Sequence, residues 1–362
     1  MDQLYNIWLC NIQNINYTKA TLLLKFFKTA ENIYKSTQKQ LIATGLHNNI
    51  IDAVSEAKKT NPQKLIDILN KKGVHFVSVY EDCYPYNLKQ IDAPPLGLYI
   101  KGSLSNFKNI NNIAIVGARK CSEYGVLTTL RLSKYFAQKN MTVVSGMAKG
   151  IDTFAHKGAI EANGITIAVL GCGVDICYPK ENNNLYEKIL ATGIIISEYF
   201  PETPPLPYHF PMRNRIISGI CKGIVVVEAN KNSGSLITAD TALAQGRDVF
   251  AVPGNITSRL SYGTNNLIKQ GAIILTHPQD VLNNLNITEV PNQQNIAHDN
   301  LNEKILAPNE KLVYDCISFE TISIDEIYDK LSLSLEELNY SLTILELKGF
   351  ISRLPGGRYT ID

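Results

Sequence analysis

The sequence predicts an α/β protein with a doubly wound, mostly parallel sheet, a small helical N-terminal domain and a C-terminal winged helix. Three observations lead to this prediction. Apolar residues before residue 80 follow helical spacing, seven nearly continuous apolar runs lie between residues 112 and 275, and the order helix, turn, helix and hairpin follows residue 309. The chain of 362 residues is long enough for two or three domains.

The N-terminal region predicts a cluster of helices. Ala20, Leu23 and Phe27 fall on one face of a helix, and Gly45 interrupts the helical pattern further on. Residues 74–80 then alternate like a strand, and several prolines follow them. We therefore expect a second domain to begin at about this point.

The middle of the chain contains recurrent runs of Val, Ile and Ala with helical stretches between them. Nearly continuous apolar character means burial on both faces, which is typical of parallel strands covered by helices. The expected strands are Ile113–Val116, Thr142–Ser145, Thr166–Leu170, Ile194–Ser197, Ile224–Glu228, Val249–Val252 and Ala272–Leu275.

The C-terminal region predicts a linker and a winged helix. Residues 283–308 are rich in Asn and Gln and poor in large apolar residues, which favours a linker. Helices at 324–331 and 335–347 and a hairpin at 350–361 then follow in winged-helix order. The expected domains are a helical domain at 1–80, an α/β domain at 81–285, a linker at 286–308 and a winged helix at 309–362.

Composition excludes several classes of protein. No apolar run approaches the roughly 20 residues of a membrane span, and the N-terminus lacks the basic segment of a secretory signal, so we expect a cytoplasmic protein with no membrane segment. The seven cysteines are scattered, and neither they nor the histidines show a metal-binding spacing, so we expect no metal.

Charge is unevenly distributed along the chain. Residues 112–260 hold 15 Lys and Arg against 11 Asp and Glu, whereas residues 309–362 hold 5 against 10. Only part of the chain therefore suits a polyanion. The second expected helix of the winged helix has Glu336, Glu337 and Glu346 where a DNA reader would present basic side chains, so we predict that this domain is not the main DNA-binding element.

Glycine-containing turns follow four of the expected strands, at the sheet edge where ligands bind in open α/β folds. The first turn carries Arg119, the second Lys149, the third Gly171-Cys172-Gly173, and the turn after the fifth strand carries Ser233-Gly234-Ser235. A glycine in one such turn more often serves only the turn. Four of these turns on one edge, two of them with a cation, favour a phosphate-binding floor.

A further motif, with Phe210, Arg213, Asn214 and Arg215, precedes the fifth strand. Arginine side chains suit phosphates and an exposed aromatic ring suits the face of a base, so the motif fits an unpaired nucleic-acid strand. The alternative is that Phe210 is a core residue and that the arginines pair with glutamates 198 or 228.

Nucleotide cofactors are not expected. No turn matches G-x-G-x-x-G, because position 176 is Ile, and the P-loop pattern G-x-x-x-x-G-K-[ST] is absent. We therefore predict no cofactor and no catalytic residues.

The ordered motifs resemble those of one family. The chain contains, in order, GARKCSEYG, SGMAKGID, GCGVDICYP, FPMRNRIISG, SGSLITA and GRDVFAVPG, a series similar to that of DNA processing protein A, the DprA/Smf family. The resemblance implies an extended Rossmann-like fold, an N-terminal domain of the SAM-like or helix-hairpin-helix-like type, and a homodimer without enzymatic activity. It also implies a protein that binds single-stranded DNA, protects incoming DNA and helps load the RecA recombinase in natural transformation and recombination.

The resemblance also implies the site. DNA contacts would fall on Arg119, Phe210 and Arg213 and on the backbone of Ser233, Gly234 and Ser235. The expected neighbours of this site are Lys149, Asn214, Arg215 and Arg247.

An enzyme class shares this type of sheet, the lysine-decarboxylase-like phosphoribohydrolases. Those nucleotide-processing hydrolases depend on a P-G-G-x-G-T-x-x-E run whose glutamate assists glycosidic cleavage. The corresponding segment here, 232–240, has no glutamate in that frame, which disfavours this alternative.

Overall fold

The computed structural model describes residues 3–103, 107, 111–287, 306–317, 321–331, 333–354 and 357–361. The chain divides into two compact units, residues 1–288 and residues 289–362.

Six helices lie within the described residues 3–72, as the helical spacing predicts. Side chains that accept backbone N–H groups start four of them: Asn16, Thr29, Thr37 and Asn61. Gly73, in the left-handed conformation, ends the last. The helices are α1 (Gln3–Cys10), α2 (Tyr17–Phe27), α3 (Ala30–Lys35), α4 (Gln38–Ile42), α5 (Asn48–Ala57) and α6 (Pro62–Lys72).

A nine-stranded sheet follows, in the order β1-β2-β6-β5-β4-β3-β7-β8-β9. The pairs from β6 to β9 along this order are parallel, while β2 is antiparallel to both β1 and β6. The strands are β1 (His75–Ser78), β2 (Gly97–Gly102), β3 (Asn112–Val116), β4 (Thr142–Ser145), β5 (Thr166–Leu170), β6 (Ile194–Ser197), β7 (Gly223–Val226), β8 (Asp248–Ala251) and β9 (Ile273–Ile274).

All seven strands expected between residues 112 and 275 are confirmed, with ends that differ by at most two residues. The strand β2 was missed, because prolines 94 and 95 directly before it suggested irregular chain. Residues 98 to 100 are buried and extend the sheet beyond β6, so tertiary pairing creates this strand.

Helices cover both faces of the sheet, which makes it doubly wound. Ile113 and Ile115 of β3 pack in one core cluster, whereas Ala114 and Val116 pack in another on the opposite face. The helices are α7 (Tyr86–Lys89), α8 (Glu123–Gln138), α9 (Ile151–Glu161), α10 (Asn183–Thr192), α11 (His209–Gly219), α12 (Gly234–Ala244), α13 (Tyr262–Lys269) and α14 (Gln279–Asn284).

The boundary expected at residues 80 and 81 falls inside the first unit. Trp8, Leu23 and Ile33 of the N-terminal helices belong to the same apolar cluster as Ile167 and Ile194 of the sheet. The strand β1, inside the expected helical domain, also pairs with β2. Shared burial therefore joins the helical region and the sheet into one compact unit.

The second unit is a small α+β fold with the expected winged-helix order. Its elements are α15 (Pro308–Cys316), β10 (Ile322–Ser323), α16 (Ile324–Lys330), α17 (Leu335–Leu347), β11 (Ile351–Leu354) and β12 (Arg358–Ile361). The helix α15 was not predicted from the sequence, and it packs on α17 through its buried Val313. The linker expected at 286–308 lies almost wholly outside the described residues.

Candidate nucleic-acid interface

A cleft of about 1080 Å³ opens beyond the carboxyl ends of β3, β4 and β7. From β3 the chain proceeds in one direction to β4, β5 and β6, and β7, β8 and β9 lie on its other side. Adjacent helix N-termini and glycine turns make such a switch point the ordinary ligand site of an open α/β sheet. The cleft is lined by residues 116–121, 148, 152, 178, 205, 207, 210, 211, 213, 214, 217, 230, 232–235, 237, 238, 259 and 260.

Cations dominate the charge of the cleft. Arg119 and Lys120, on the turn between β3 and α8, and Arg259, on the loop between β8 and α13, are exposed. The one carboxylate among the described lining residues is Asp152, which is buried. The cleft therefore presents a positive rim to solvent and suits an anionic ligand.

Arg213 lies beneath the cleft rather than at its rim. Its side chain is 5% exposed, and its guanidinium donates to the carbonyl oxygen of Gly146 at 2.8 Å and to that of Val169. A Cβ on Gly146 would lie 2.5 Å from this guanidinium, so only glycine allows the approach. Arg213 thus ties α11 to the ends of β4 and β5.

Asp152 completes this buried layer. Its carboxylate accepts the backbone N–H of Gly146 at 3.1 Å and that of Ala148 at 3.4 Å. Burial raises the pKa of Asp152, and the charge of Arg213 and these N–H groups oppose that rise. Burial in turn lowers the pKa of Arg213, while Asp152 raises it. The pair fixes the β4–α9 turn that forms the cleft floor.

Two aromatic rings form one wall of the cleft. The ring of Phe210 is half-buried and lies 5.4 Å from the ring of Tyr178, at an interplanar angle of 33°. Tyr178 is exposed, and both residues line the cleft. Together they offer a surface on which an unstacked base can lie.

The segment Ser233-Gly234-Ser235 also lines the cleft, at the start of α12. The amide of Asn232 donates to the side chain of Asn230 at 2.9 Å, which shapes the turn. Ser233 makes no side-chain cap. The N–H of Leu236 donates to the carbonyl oxygen of Ser233 at 3.1 Å, while the earlier N–H groups of a helix start have no partner within the helix. This helix start can therefore accept an anion such as a phosphate.

The cleft brings together seven of the ten residues expected in the site: Arg119, Phe210, Arg213, Asn214, Ser233, Gly234 and Ser235. Asn214 accepts a hydrogen bond from the Nε of Arg213 at 3.2 Å. Arg213 lines the cleft, but its guanidinium also donates to the carbonyl oxygens of Gly146 and Val169, so its contact with DNA stays a prediction.

Lys149, Arg215 and Arg247 do not line the cleft. The ammonium of Lys149 pairs with Glu181 at 2.7 Å, and Arg215 pairs with Glu198 at 2.5 Å. Arg247 donates to the carbonyl oxygen of Asn87 at 2.9 Å, and burial lowers its pKa. These three side chains serve packing and ion pairs outside the cleft.

The alternative pairing of the arginines with glutamates is therefore correct for Arg215 alone. Glu228 instead accepts two hydrogen bonds from Ser122, one from the backbone N–H at 2.9 Å and one from the hydroxyl group. These bonds hold the turn that carries Arg119.

Four cleft residues were not predicted from the sequence: Lys120, Tyr178, Asn230 and Arg259. Tyr178 had a usable signal, because it is an aromatic residue five positions after Gly173 in the turn that follows the third strand. Arg259 had none, since it lies in a loop whose path depends on tertiary packing.

Other site types find little support in the described part of the chain. No group of three or more His, Cys, Asp or Glu side chains there could hold a metal ion. Within the same residues, none of the helices combines the length and apolar character needed to span a bilayer. Burial and Glu228 raise the pKa of the Cys121 thiol in the cleft, so it is a poor nucleophile.

Comparisons with known proteins identify the family of this chain. The family model of DNA recombination-mediator protein A matches residues 75–286, and that of the DprA winged helix domain matches residues 299–357. DNA processing protein DprA of Streptococcus pneumoniae is 46% identical over 205 residues, which is 57% of this chain and 72% of that protein. Protein Smf of Escherichia coli is 37% identical over 295 residues, which is 80% of this chain and 78% of that protein.

Solved structures give the same result. The X-ray structure of DNA processing protein A from Streptococcus pneumoniae matches with a TM-score of 0.65 and 37% identity, over 77% of this chain and 96% of that one. The protein from Helicobacter pylori, described for its single-stranded DNA binding mode, matches with a TM-score of 0.54 and 28% identity, over 59% of this chain and 95% of that one. By its motifs, its fold and these matches, the chain belongs to the DNA processing protein A family, also called DprA/Smf.

Proposed function

We propose that this protein binds single-stranded DNA in the cleft, without reading its sequence. The observation that carries the proposal is the open cleft at the switch point, with the cationic rim of Arg119, Lys120 and Arg259 beside the rings of Tyr178 and Phe210. Cations and helix starts hold phosphates, and aromatic rings accept the face of any base.

A preference for single strands follows from the same geometry. The rings of Tyr178 and Phe210 stand within a concave space, where an unstacked base can reach them. In a duplex the base faces are already stacked on one another, so only the phosphates could bind. The single-stranded DNA binding described for the Helicobacter pylori relative supports this preference.

The test is a titration of fluorescent oligonucleotides, single-stranded and duplex, at several salt concentrations. Single strands should bind more tightly, and four neutralised phosphates would give a slope of log K against log salt of about −3. Equal affinity for duplex, or affinity that does not depend on salt, would contradict the proposal.

We further infer that the protein acts on DNA during recombination, where it protects incoming single strands and helps load RecA in natural transformation. Family membership supports this role, since the matching family model is that of a recombination mediator. The proposal also includes a homodimer, work in the cytoplasm and no enzymatic activity. The checks are the rate of RecA filament formation on protein-coated single strands and the mass of the protein in solution.

The phosphoribohydrolase alternative remains testable. The one carboxylate among the described cleft residues, Asp152, is buried and accepts two backbone N–H groups, so it is poorly placed to assist glycosidic cleavage. Incubation with nucleoside monophosphates should release no free base, and release of base that Asp152→Asn abolishes would support the enzyme instead.

A further inference from the structure

A second, smaller pocket of about 360 Å³ adjoins the cleft, and we call it the side pocket. Asn230, Asn232 and Arg259 line both spaces, so the two are adjacent. The remaining lining residues are Lys231, Ile256, Thr257, Ser258 and Tyr262. The side pocket therefore lies between the β7–α12 turn and the β8–α13 loop.

The lining of the side pocket combines apolar surface with positive charge. Tyr262 is 52% exposed and Ile256 is 93% exposed, although both are large apolar side chains. Lys231 and Arg259 add two cations, and no carboxylate is among the described lining residues. An exposed apolar surface beside cations marks an interaction site, and this combination suits a base with its phosphate.

Backbone hydrogen bonds hold the two walls of the side pocket together. The N–H of Ala229 donates to the carbonyl of Leu260 at 2.7 Å, and the N–H of Gly263 donates to the carbonyl of Ala229 at 2.7 Å. The side chain of Asn265 donates to the carbonyl of Gly254 at 2.9 Å. The exposed ring of Tyr262 is thus carried by a braced segment, which lowers the entropy lost when a ligand binds.

The size of the side pocket limits its occupant. Ligand pockets in proteins measure roughly 300–1,000 Å³, and the side pocket lies at the lower end of that range. It has room for a single nucleotide unit rather than a folded segment. Because three residues line both spaces, a strand in the cleft is the nearest source of that unit.

We propose that the side pocket is a subsite for one further nucleotide of the single strand that occupies the cleft. Arg259 binds the phosphate that joins the two spaces, and Tyr262 stacks on the base in the side pocket. This inference rests on the proposed function, and it extends the bound segment beyond the rings of Tyr178 and Phe210.

The experiment measures fluorescence anisotropy of labelled oligothymidylates of about four to about twelve nucleotides, with the full chain and its variants. For Tyr262→Ala, affinity for the longer oligonucleotides should fall at least about fivefold, the lower limit of base stacking, while affinity for the shortest stays unchanged. Tyr262→Phe keeps the ring and should behave as the unaltered protein. Arg259→Ala should reduce the salt slope by about 0.7, the contribution of one phosphate.

The matched control is Tyr86→Ala, a 75% exposed tyrosine on α7 that does not line either space. It should leave binding unchanged at every length. If Tyr262→Ala binds all lengths with unaltered affinity while Arg119→Ala loses affinity, the side pocket is not a subsite and the proposed function stands. If the unaltered protein binds no single strands, both proposals fail.

Discussion

The cleft and the winged helix hold their cations in different ways. At the cleft, Arg119 and Arg259 are exposed on a lining whose one described carboxylate is buried. In the winged helix, Lys348 pairs with Glu310 at 2.6 Å, and Arg358 lies 3.7 Å from Glu326. Arg119 and Arg259 are therefore available to phosphates, whereas Lys348 and Arg358 already face carboxylates.

The helix with which a winged helix usually reads DNA, here α17, carries negative charge, whereas the rim of the cleft is positive. Glu336, Glu337 and Glu346 lie on α17, and Ser334 caps this helix together with Glu337. A winged helix is best known as a reader of duplex DNA, yet this one presents acids where DNA would dock. Binding to a polyanion therefore depends on which cations remain unneutralised, and the fold type alone does not reveal it.

Arg213→Ala should have the largest effect, and this effect should be on stability. The variant tests whether the buried layer beneath the cleft stabilises the fold, whereas the rim binds the ligand. The variant leaves the Asp152 carboxylate without its buried counter-charge and two strand-end carbonyls without a donor, so unfolding free energy should fall by roughly 3–5 kcal/mol. Urea unfolding monitored through Trp8, the one tryptophan and a buried one, measures this change.

The control for this prediction is Arg131→Ala, an exposed arginine on α8, which should change stability by no more than about 0.5 kcal/mol. A stable Arg213→Ala protein that has lost DNA affinity would show that Arg213 contacts DNA, as the sequence alone suggested.

As the pH falls, the first unit should lose stability at a higher pH than the winged helix does. Burial and the nearby Arg213 lower the pKa of His156 from 6.5 to about 3. Between these two values His156 is protonated in the unfolded state but neutral in the folded state. Stability is then lost as pH falls from 6.5 toward 3, by a few kcal/mol at about 1.4 kcal/mol per unit. Asp152, whose pKa is raised, acts in the opposite direction.

The winged helix should respond only at lower pH. A hydrogen bond from Lys348 lowers the pKa of Glu310 below 4.5, so its contribution is present above pH 4.5 and is lost as pH falls through the lowered value. Fluorescence of Trp8 and amide NMR signals of α17 follow the two units separately. A His156→Gln variant should show a shallower pH dependence in the first unit alone, and an unchanged dependence would contradict the assignment.

Arg119→Ala should weaken single-strand binding by about 2 kcal/mol, or roughly 30-fold, because a charge-assisted hydrogen bond to phosphate is lost. Stability should not change, since the side chain is exposed. Anisotropy titrations measure the affinity, and Arg131→Ala serves again as the charge-matched control. Equal losses for both variants would mean that the net charge of the protein, not the cleft, determines binding.

Phe210→Ala should cost about 1–2 kcal/mol of binding free energy, in the lower part of the range for base stacking, because the ring is already half-buried against Tyr178. The same titration measures it. Phe26→Ala, an exposed phenylalanine on α2, is the matched control and should bind normally. An unaltered affinity for Phe210→Ala would restrict Phe210 to a packing role.

Removal of residues 289–362 should have the smallest effect on DNA binding, less than about twofold. The truncation leaves the first compact unit, which contains the whole cleft. Circular dichroism checks that this unit stays folded, and the oligonucleotide titration measures its affinity. A collapse of affinity in a folded protein would move the binding role to the winged helix and reverse the comparison.

The periodicity of the chain was enough to predict the parallel strands. Each strand is buried on both faces, so its apolar run is continuous and can be recognised without a partner. The strand β2 escaped prediction because its pairing with β1 and β6, rather than its composition, makes it a strand. Apolar spacing also predicted the N-terminal helices, but it did not predict the core that these helices share with the sheet.

By itself, the sequence determined the family motifs, the order of the elements and the glycine turns on one sheet edge, because local spacing and backbone freedom depend on near neighbours. Only the tertiary structure decided which arginine side chains are exposed and which are bonded within the protein. Arg119, Arg213 and Arg215 lie in similar motifs, yet one is exposed, one is bonded to strand-end carbonyls and one is paired with Glu198. The physical reason is that the availability of a charge depends on burial and on partners distant in sequence, which a local pattern does not contain.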